Sequence, residues 1–247
     1  MPRFGPPDAL ARLCTGSAHA DSVELKALLS TPAAQAAEAL TGRPSPTWSE
    51  RRTYLLDTEA LDLLRAGVEI RLRRRARGRY DLAVSTHRAG TAHERDVPRG
   101  VRVELDVVPG AVWQDIEVRR EVDPGEASHV IARAFDPREL LSTTQRAWAL
   151  RGGNEPVDDG ALKELTVLGP LVVHRVKVTA AAPGLRADLE HFRFPSGRTM
   201  VELSTHCGPH EVAATAAAFD RLFDDQQIAV ADGYRTKTSL WREEFGA

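Results

Sequence analysis

The strongest constraint on the fold is a charge at every second residue. In residues 68–75, Glu69, Arg71, Arg73 and Arg75 alternate with Val68, Ile70 and Leu72. Successive side chains of a strand point to opposite faces, so this segment presents one charged and one apolar face. The pattern recurs. Ser22, Glu24 and Lys26 oppose Val23, Leu25 and Ala27, and Arg102, Glu104 and Asp106 oppose Val101, Val103, Leu105 and Val107. Glu202, Ser204 and His206 oppose Val201 and Leu203, Arg186, Asp188 and Glu190 share a face, and Arg175 shares one with Lys177.

Further strands are expected at 52–57, 79–87 and 116–121, with Gly78 turning 68–75 into 79–87 as a hairpin. Apolar residues at helical spacing, with Pro or Thr near the start, predict helices over 31–40, 58–65, 125–135 and 211–223. Residues 136–169 carry no clear period beyond the loop RGGNEPVDDG, and residues 1–20 read as a loose, Pro- and Gly-punctuated segment. Residues 21–247 are then one β-rich α+β domain.

Composition mainly excludes. The 33 Lys and Arg against 35 Asp and Glu give a net charge of −2, so no global basic field argues for DNA or an anionic membrane. The two cysteines supply neither a disulfide framework nor a C-x-x-C spacing. No apolar run reaches the length of a membrane span, and no signal peptide is legible, so a cytoplasmic location is expected. The four Trp are expected to pack between helices and sheet. The segment His206-Cys207-Gly208-Pro209-His210 reads as a strand end entering a helix, because no further zinc-spaced ligands accompany it. Glu104, Asp106 and Glu117 suit either an acid pair or salt bridges to Arg102 and Arg119.

Two arrangements satisfy the alternation. The charged faces can be solvated sides of half-buried antiparallel strands. Alternatively, helices cover the apolar faces and the charged faces meet inside a closed barrel. Arginines fixed in such an interior match phosphate oxygens in bidentate fashion. Carboxylates among them repel phosphate unless a hard divalent cation, Mg²⁺ or Mn²⁺, sits between.

Several segments resemble the CYTH domain of the triphosphate tunnel metalloenzyme superfamily. Ser22-Val23-Glu24-Leu25-Lys26 is similar to its opening E-x-E-x-K strand, and Tyr54-Leu55-Leu56-Asp57-Thr58 to its Y-x-x-D-T segment. Ile70-Arg71-Leu72-Arg73-Arg74 resembles its L-R-x-R strand, and Leu168-Gly169-Pro170-Leu171, leading to Arg175 and Lys177, its L-x-P-x segment and basic strand. Asp188, Glu202 and the Tyr234-to-Thr238 stretch with Lys237 complete the order, while residues 88–165 align poorly.

The resemblance implies an eight-stranded antiparallel tunnel, closed or nearly so, that takes a triphosphate or polyphosphate small molecule with Mg²⁺ or Mn²⁺. It implies phosphate binding by Lys26, Arg71, Arg73, Arg175, Lys177 and Lys237. Glu24 and Glu202 would be the catalytic, metal-holding carboxylates, with Asp188 as a third metal ligand and Glu104 or Asp106 as lesser ones. The implied activity is triphosphate hydrolysis, with adenylate cyclase activity a minor expectation. Departures stand at Ser22, in place of a Glu; at Ser85, where a Lys is common; and at Ser204, in place of a late Glu. Fewer carboxylates weaken a hard-cation site, so a non-catalytic polyanion or nucleotide binder with the same tunnel is the alternative. Oligomeric state is not legible.

Overall fold

A computed structural model, describing residues 2–15, 20–89, 101–179 and 185–245, gathers the alternating segments into one closed barrel. Its strands are β1 (Ser22–Leu28), β2 (Ser49–Asp57), β3 (Val68–Arg74), β4 (Tyr80–Ala89), β5 (Arg102–Val108), β6 (Ala111–Val122), β7 (Thr166–Thr179), β8 (Arg186–Arg193) and β9 (Thr199–Cys207). The ring order is β1-β5-β6-β4-β3-β2-β7-β8-β9, and β9 pairs back onto β1.

The barrel thus has nine strands where eight were expected. A ring that alternates direction throughout needs an even number of strands, so nine force a parallel junction. It falls between β1 and β5, with Ser22 opposite Glu104 and Glu24 opposite Asp106. The other junctions are antiparallel.

Burial decides between the two arrangements left open by the pattern. The apolar rows face outward under helices, and the charged rows face one another. Val23, Leu25 and Ala27 of β1 pack with α2 (Ala33–Thr41) and α7 (Val212–Asp225) in one cluster. Ile70, Leu72, Leu82, Val84 and Ile116 pack with α4 (Pro124–Ile131), α5 (Thr143–Arg151) and α6 (Asp159–Lys163) in another. Each buried aliphatic side chain contributes about 1.5–3 kcal/mol. Turning the charged rows outward would forfeit both layers.

The inward rows are not charged along their whole length. Leu28, Leu55, Leu171, Val173, Phe192 and Met200 join Leu240 and Trp241 of α8 (Lys237–Glu244) in a third apolar cluster beyond the charged stretch. Leu61 and Leu64, beside and within α3 (Asp62–Arg65), belong to it as well.

The first twenty residues differ from the loose segment expected. Pro7–Thr15 form α1, which packs on α7. Leu10 and Cys14 are buried there, the Phe4 ring stacks on Phe219 with centroids 5.7 Å apart, and Arg3 pairs with Asp220 and Asp224. Residues 16–19 of that segment lie outside the described residues. The motif Asp57-Thr58 proves structural. The buried Asp57 carboxylate accepts backbone N–H bonds from Thr58, Leu63 and Leu64 at 2.7, 3.0 and 3.0 Å, capping α3.

Candidate functional site

The charged rows enclose a cavity of about 470 Å³. Nine Lys and Arg and eight Asp and Glu line it, with His87, His206, Trp113 and Tyr234. This near balance comes from strand pairing. Arg73 lies opposite Asp81, Arg102 opposite Glu117 and Arg175 opposite Glu190 in register, whereas Lys237 comes from α8.

On the β3 side, Arg71 NH2 donates to Ser85 Oγ and to Glu117 Oε2, both at 3.2 Å, and Arg73 NH2 reaches the same Glu117 oxygen at 3.0 Å. Arg119 approaches the other Glu117 oxygen at 2.5 Å. Burial and repulsion from Arg71 lower the Arg73 guanidinium to about 10, still charged at neutral pH. One Arg71 donor, Nε, is buried and has no hydrogen-bond partner among the described residues, so it could donate to an anion oxygen. Three guanidinium groups converging on one carboxylate leave donor capacity for a multiply charged anion.

His87 of β4 adds a titratable group to this wall. Its Nε2 lies 3.3 Å from Glu69 and its Nδ1 3.7 Å from Asp115. Burial alone would lower its pKa, but Asp115 and Glu69 outweigh that and raise it. Glu69 is held at about 2, because Arg71 and His87 outweigh the burial that would raise it.

On the β1 side, Lys26 Nζ bridges Glu24 at 2.9 Å and Asp106 at 2.7 Å. Burial disfavours the ammonium, yet Asp106 and Glu24 keep its pKa well above the usual range. Burial likewise opposes the Glu24 charge, and Lys26, His206 and Lys237 overcome it and depress its pKa.

Of the residues singled out from sequence, Glu24, Lys26, Arg71, Arg73, Arg175, Asp188 and Lys237 line the cavity together. Arg175 is paired with Asp188 and Lys237 with Glu202, the latter at 2.8 Å. Glu202 is 2% exposed and lies outside the lining, taking a second bond from the Tyr234 hydroxyl at 2.7 Å. Lys177, on the same face of β7 as Arg175, is exposed and also outside the lining. Lining residues that the sequence reading did not single out as ligands include Glu69, Asp115, Glu190, Arg51, Arg75 and His87. Trp148 and Trp241 pack under helices as expected, whereas Trp113 lines the cavity.

A closed barrel with acids and bases pointing inward has relatives among solved structures. A candidate adenylyl cyclase from Hippeastrum, described as having a dominant triphosphatase activity, superposes with a TM-score of 0.64 at 20% identity. The match covers 89% of this chain and 94% of that one. A candidate adenylate cyclase from Bacillus halodurans gives a TM-score of 0.59 at 13% identity, over 92% of this chain and 98% of that one. The chain shares the fold of these two proteins over most of its length. No family model matches the sequence, and no curated protein does.

The tunnel residues fit a divalent cation, although not by way of all the acids expected. Asp188 and Glu202 are occupied by Arg175 and by Lys237 with Tyr234. Glu24 and Glu104 are likewise paired, with Lys26 and Arg102, but with His206 they bring ligand atoms within 4.8 Å of one another. In the same cavity lining, Asp106 Oδ1 is buried without a hydrogen-bond partner among the described residues. His206, which reads from sequence as a strand end, therefore belongs to the tunnel site. Glu104 pairs with Arg102 at 2.7 Å and Glu117 with Arg119, the salt bridges that the sequence allowed. Among the described residues, no helix is long and apolar enough to cross a membrane.

Proposed function

We propose that this tunnel binds a triphosphate-bearing small molecule and hydrolyses it with Mg²⁺ or Mn²⁺. The observation that carries the reading is the lining itself: nine cationic and eight anionic side chains around one cavity of about 470 Å³. A phosphate chain laid along Arg71, Arg73 and Arg175 finds guanidinium donors on two walls, with Lys26 and Lys237 across the cavity. Lys177 stands outside the lining, where it can meet the end of a longer anion. The eight carboxylates would repel such a substrate, so its entry calls for added positive charge near Glu24, Glu104 and His206.

A divalent ion there would polarise a phosphoryl oxygen and lower the pKa of water. The protein's own part is positional. Arg71 and Arg73, fixed by Glu69 and Glu117, hold phosphoryl oxygens without having to reorganise, which favours the charge of an in-line displacement. The fold relatives named for triphosphatase and adenylate cyclase activity support a triphosphate substrate; tripolyphosphate, thiamine triphosphate and a nucleoside triphosphate all satisfy this chemistry. Phosphate release from tripolyphosphate, assayed with Mg²⁺, with Mn²⁺ and with EDTA, tests the reading.

One observation favours a second reading. All three acids expected to hold metal are paired with cations: Glu24 with Lys26, Asp188 with Arg175 and Glu202 with Lys237. A tunnel neutralised in this way suits a polyanion or nucleotide binder without turnover. The same assay separates the two, since a binder retains tripolyphosphate and releases no phosphate.

A further inference from the structure

Glu24, Glu104 and His206 come from β1, β5 and β9, and β1 is ring neighbour to both other strands. His206 Nε2 lies 3.7 Å from Glu24 Oε1 and 3.6 Å from Glu104 Oε2. Ligand atoms about 2.1 Å from a tetrahedral ion stand about 3.4 Å apart, so a small contraction brings these three onto one centre. Glu104 is already fixed in place, because Ser22 Oγ donates to its Oε2 at 2.7 Å and Arg102 NH2 does the same at 2.7 Å. A second observation points to a cation independently. Asp106, opposite Glu24 in register and 7% exposed, lines the same cavity; one oxygen accepts from Lys26 and the other is buried with no donor among the described residues. Leaving a buried carboxylate oxygen without a donor is costly, and a nearby cation relieves that cost.

The donor set also fixes which ion is preferred. We propose that Glu24, Glu104 and His206 form a mixed carboxylate–imidazole site that selects Mn²⁺, Co²⁺ or Zn²⁺ over Mg²⁺. Mg²⁺ demands oxygen ligands in near-ideal octahedral geometry and gives up its waters reluctantly. Imidazole nitrogen suits first-row transition ions, which accept it at ordinary bond lengths. The site is anionic before it is loaded, with Lys26 and Arg102 as the nearby cations that moderate its charge. This inference deepens the triphosphate reading and rests on it for any use in catalysis; the binding itself needs no phosphate.

The test is therefore made without phosphate, on the full chain, by calorimetric titration with Mn²⁺ and with Mg²⁺ and by the visible absorption of added Co²⁺. Wild type should bind Mn²⁺ at least about tenfold tighter than Mg²⁺ and develop Co²⁺ bands in the ligand-field region. Loss of an outer partner alone commonly lowers metal affinity by about 10–100-fold. His206→Ala should therefore weaken Mn²⁺ by at least about tenfold and leave Mg²⁺ nearly unchanged. His206 is exposed, so the variant is expected to fold, and an unchanged melting temperature in metal-free buffer checks this. His206→Asp should narrow the preference by supplying oxygen in place of nitrogen. Equal Mn²⁺ and Mg²⁺ affinities in wild type, or an undiminished preference in folded His206→Ala, would overturn the inference. Metal-free titration with tripolyphosphate reports separately on the anion reading, which stands if Arg71-dependent binding is seen while the metal preference is not.

Discussion

Ser22 and Glu104 face each other across the parallel junction of the barrel, and the Ser22 hydroxyl donates to Glu104 Oε2 at 2.7 Å. The serine thus occupies the place where the resemblance expects a carboxylate, and a carboxylate from the adjacent strand reaches that place instead. Removing the hydroxyl as Ser22→Ala should cost about 1 kcal/mol of stability or less. It should weaken divalent-cation affinity several-fold, because Glu104 loses a positioning bond. Thermal melting and calorimetric metal titration of the same preparation give the two numbers.

Arg71 and Arg73 share the inward face of β3, and Arg74 points outward and is exposed. Replacing either inward arginine by Ala should weaken tripolyphosphate binding by about 1.5–3 kcal/mol, the range for a hydrogen bond to a charged group. Arg74→Ala should change it little. Calorimetry on the three variants checks the contrast, and Arg71→Ala should also melt lower, because Glu69 and Glu117 are left short of a partner.

His87 makes the tunnel sensitive to pH. Asp115 and Glu69 raise its pKa in the folded state against the opposing effect of burial, with Arg71 the facing cation that works against them. Between the unfolded value, about 6.5, and the higher folded one, the native chain binds more protons than the unfolded chain. The stability from this group is therefore complete below the lower value and declines as pH rises through the upper one. Melting temperatures across that window should fall with rising pH, and His87→Gln should flatten the slope.

Asp57 is a structural residue. Its carboxylate satisfies three backbone amides at the start of α3, and of these partners only Leu64 lines the cavity. Asp57→Ala should lower stability by about 3 kcal/mol. Tripolyphosphate affinity of the folded fraction should stay unchanged. Chemical denaturation together with titration below the melting temperature separates the two effects.

What could be read from sequence follows from the range of the signals. All nine strands announce themselves locally, because a period of two needs only five or six residues to show. The direction in which their charged faces point does not, since closure joins β9 to β1 across most of the chain. Arg71 and Lys26 were legible as members of charged rows from their own strands, and both line the cavity. His206 was legible as part of the charged face of its strand, but its meeting with Glu24 and Glu104 was not, because they come from two other strands. The helix α5 shows a different kind of failure. Gln145, fully buried, donates its side-chain amide to the Leu82 and Val118 carbonyls at 2.9 and 3.1 Å, so a polar residue does the work of a core one and breaks the apolar period. In α1, the Pro and Gly residues that suggest a loose segment precede a helix held by Phe4, Leu10 and Cys14 against α7.

Turnover of a triphosphate in this tunnel should depend on a cation held at Glu24. Phosphate release from tripolyphosphate by wild type and Glu24→Gln, each with Mn²⁺ and with EDTA, tests it most directly. Wild type should release phosphate with Mn²⁺ and none with EDTA, and Glu24→Gln should release none above background while its tripolyphosphate binding persists or tightens as a repulsive charge leaves the tunnel. Release by Glu24→Gln at the wild-type rate, or wild type that binds tripolyphosphate and never cleaves it, would contradict it.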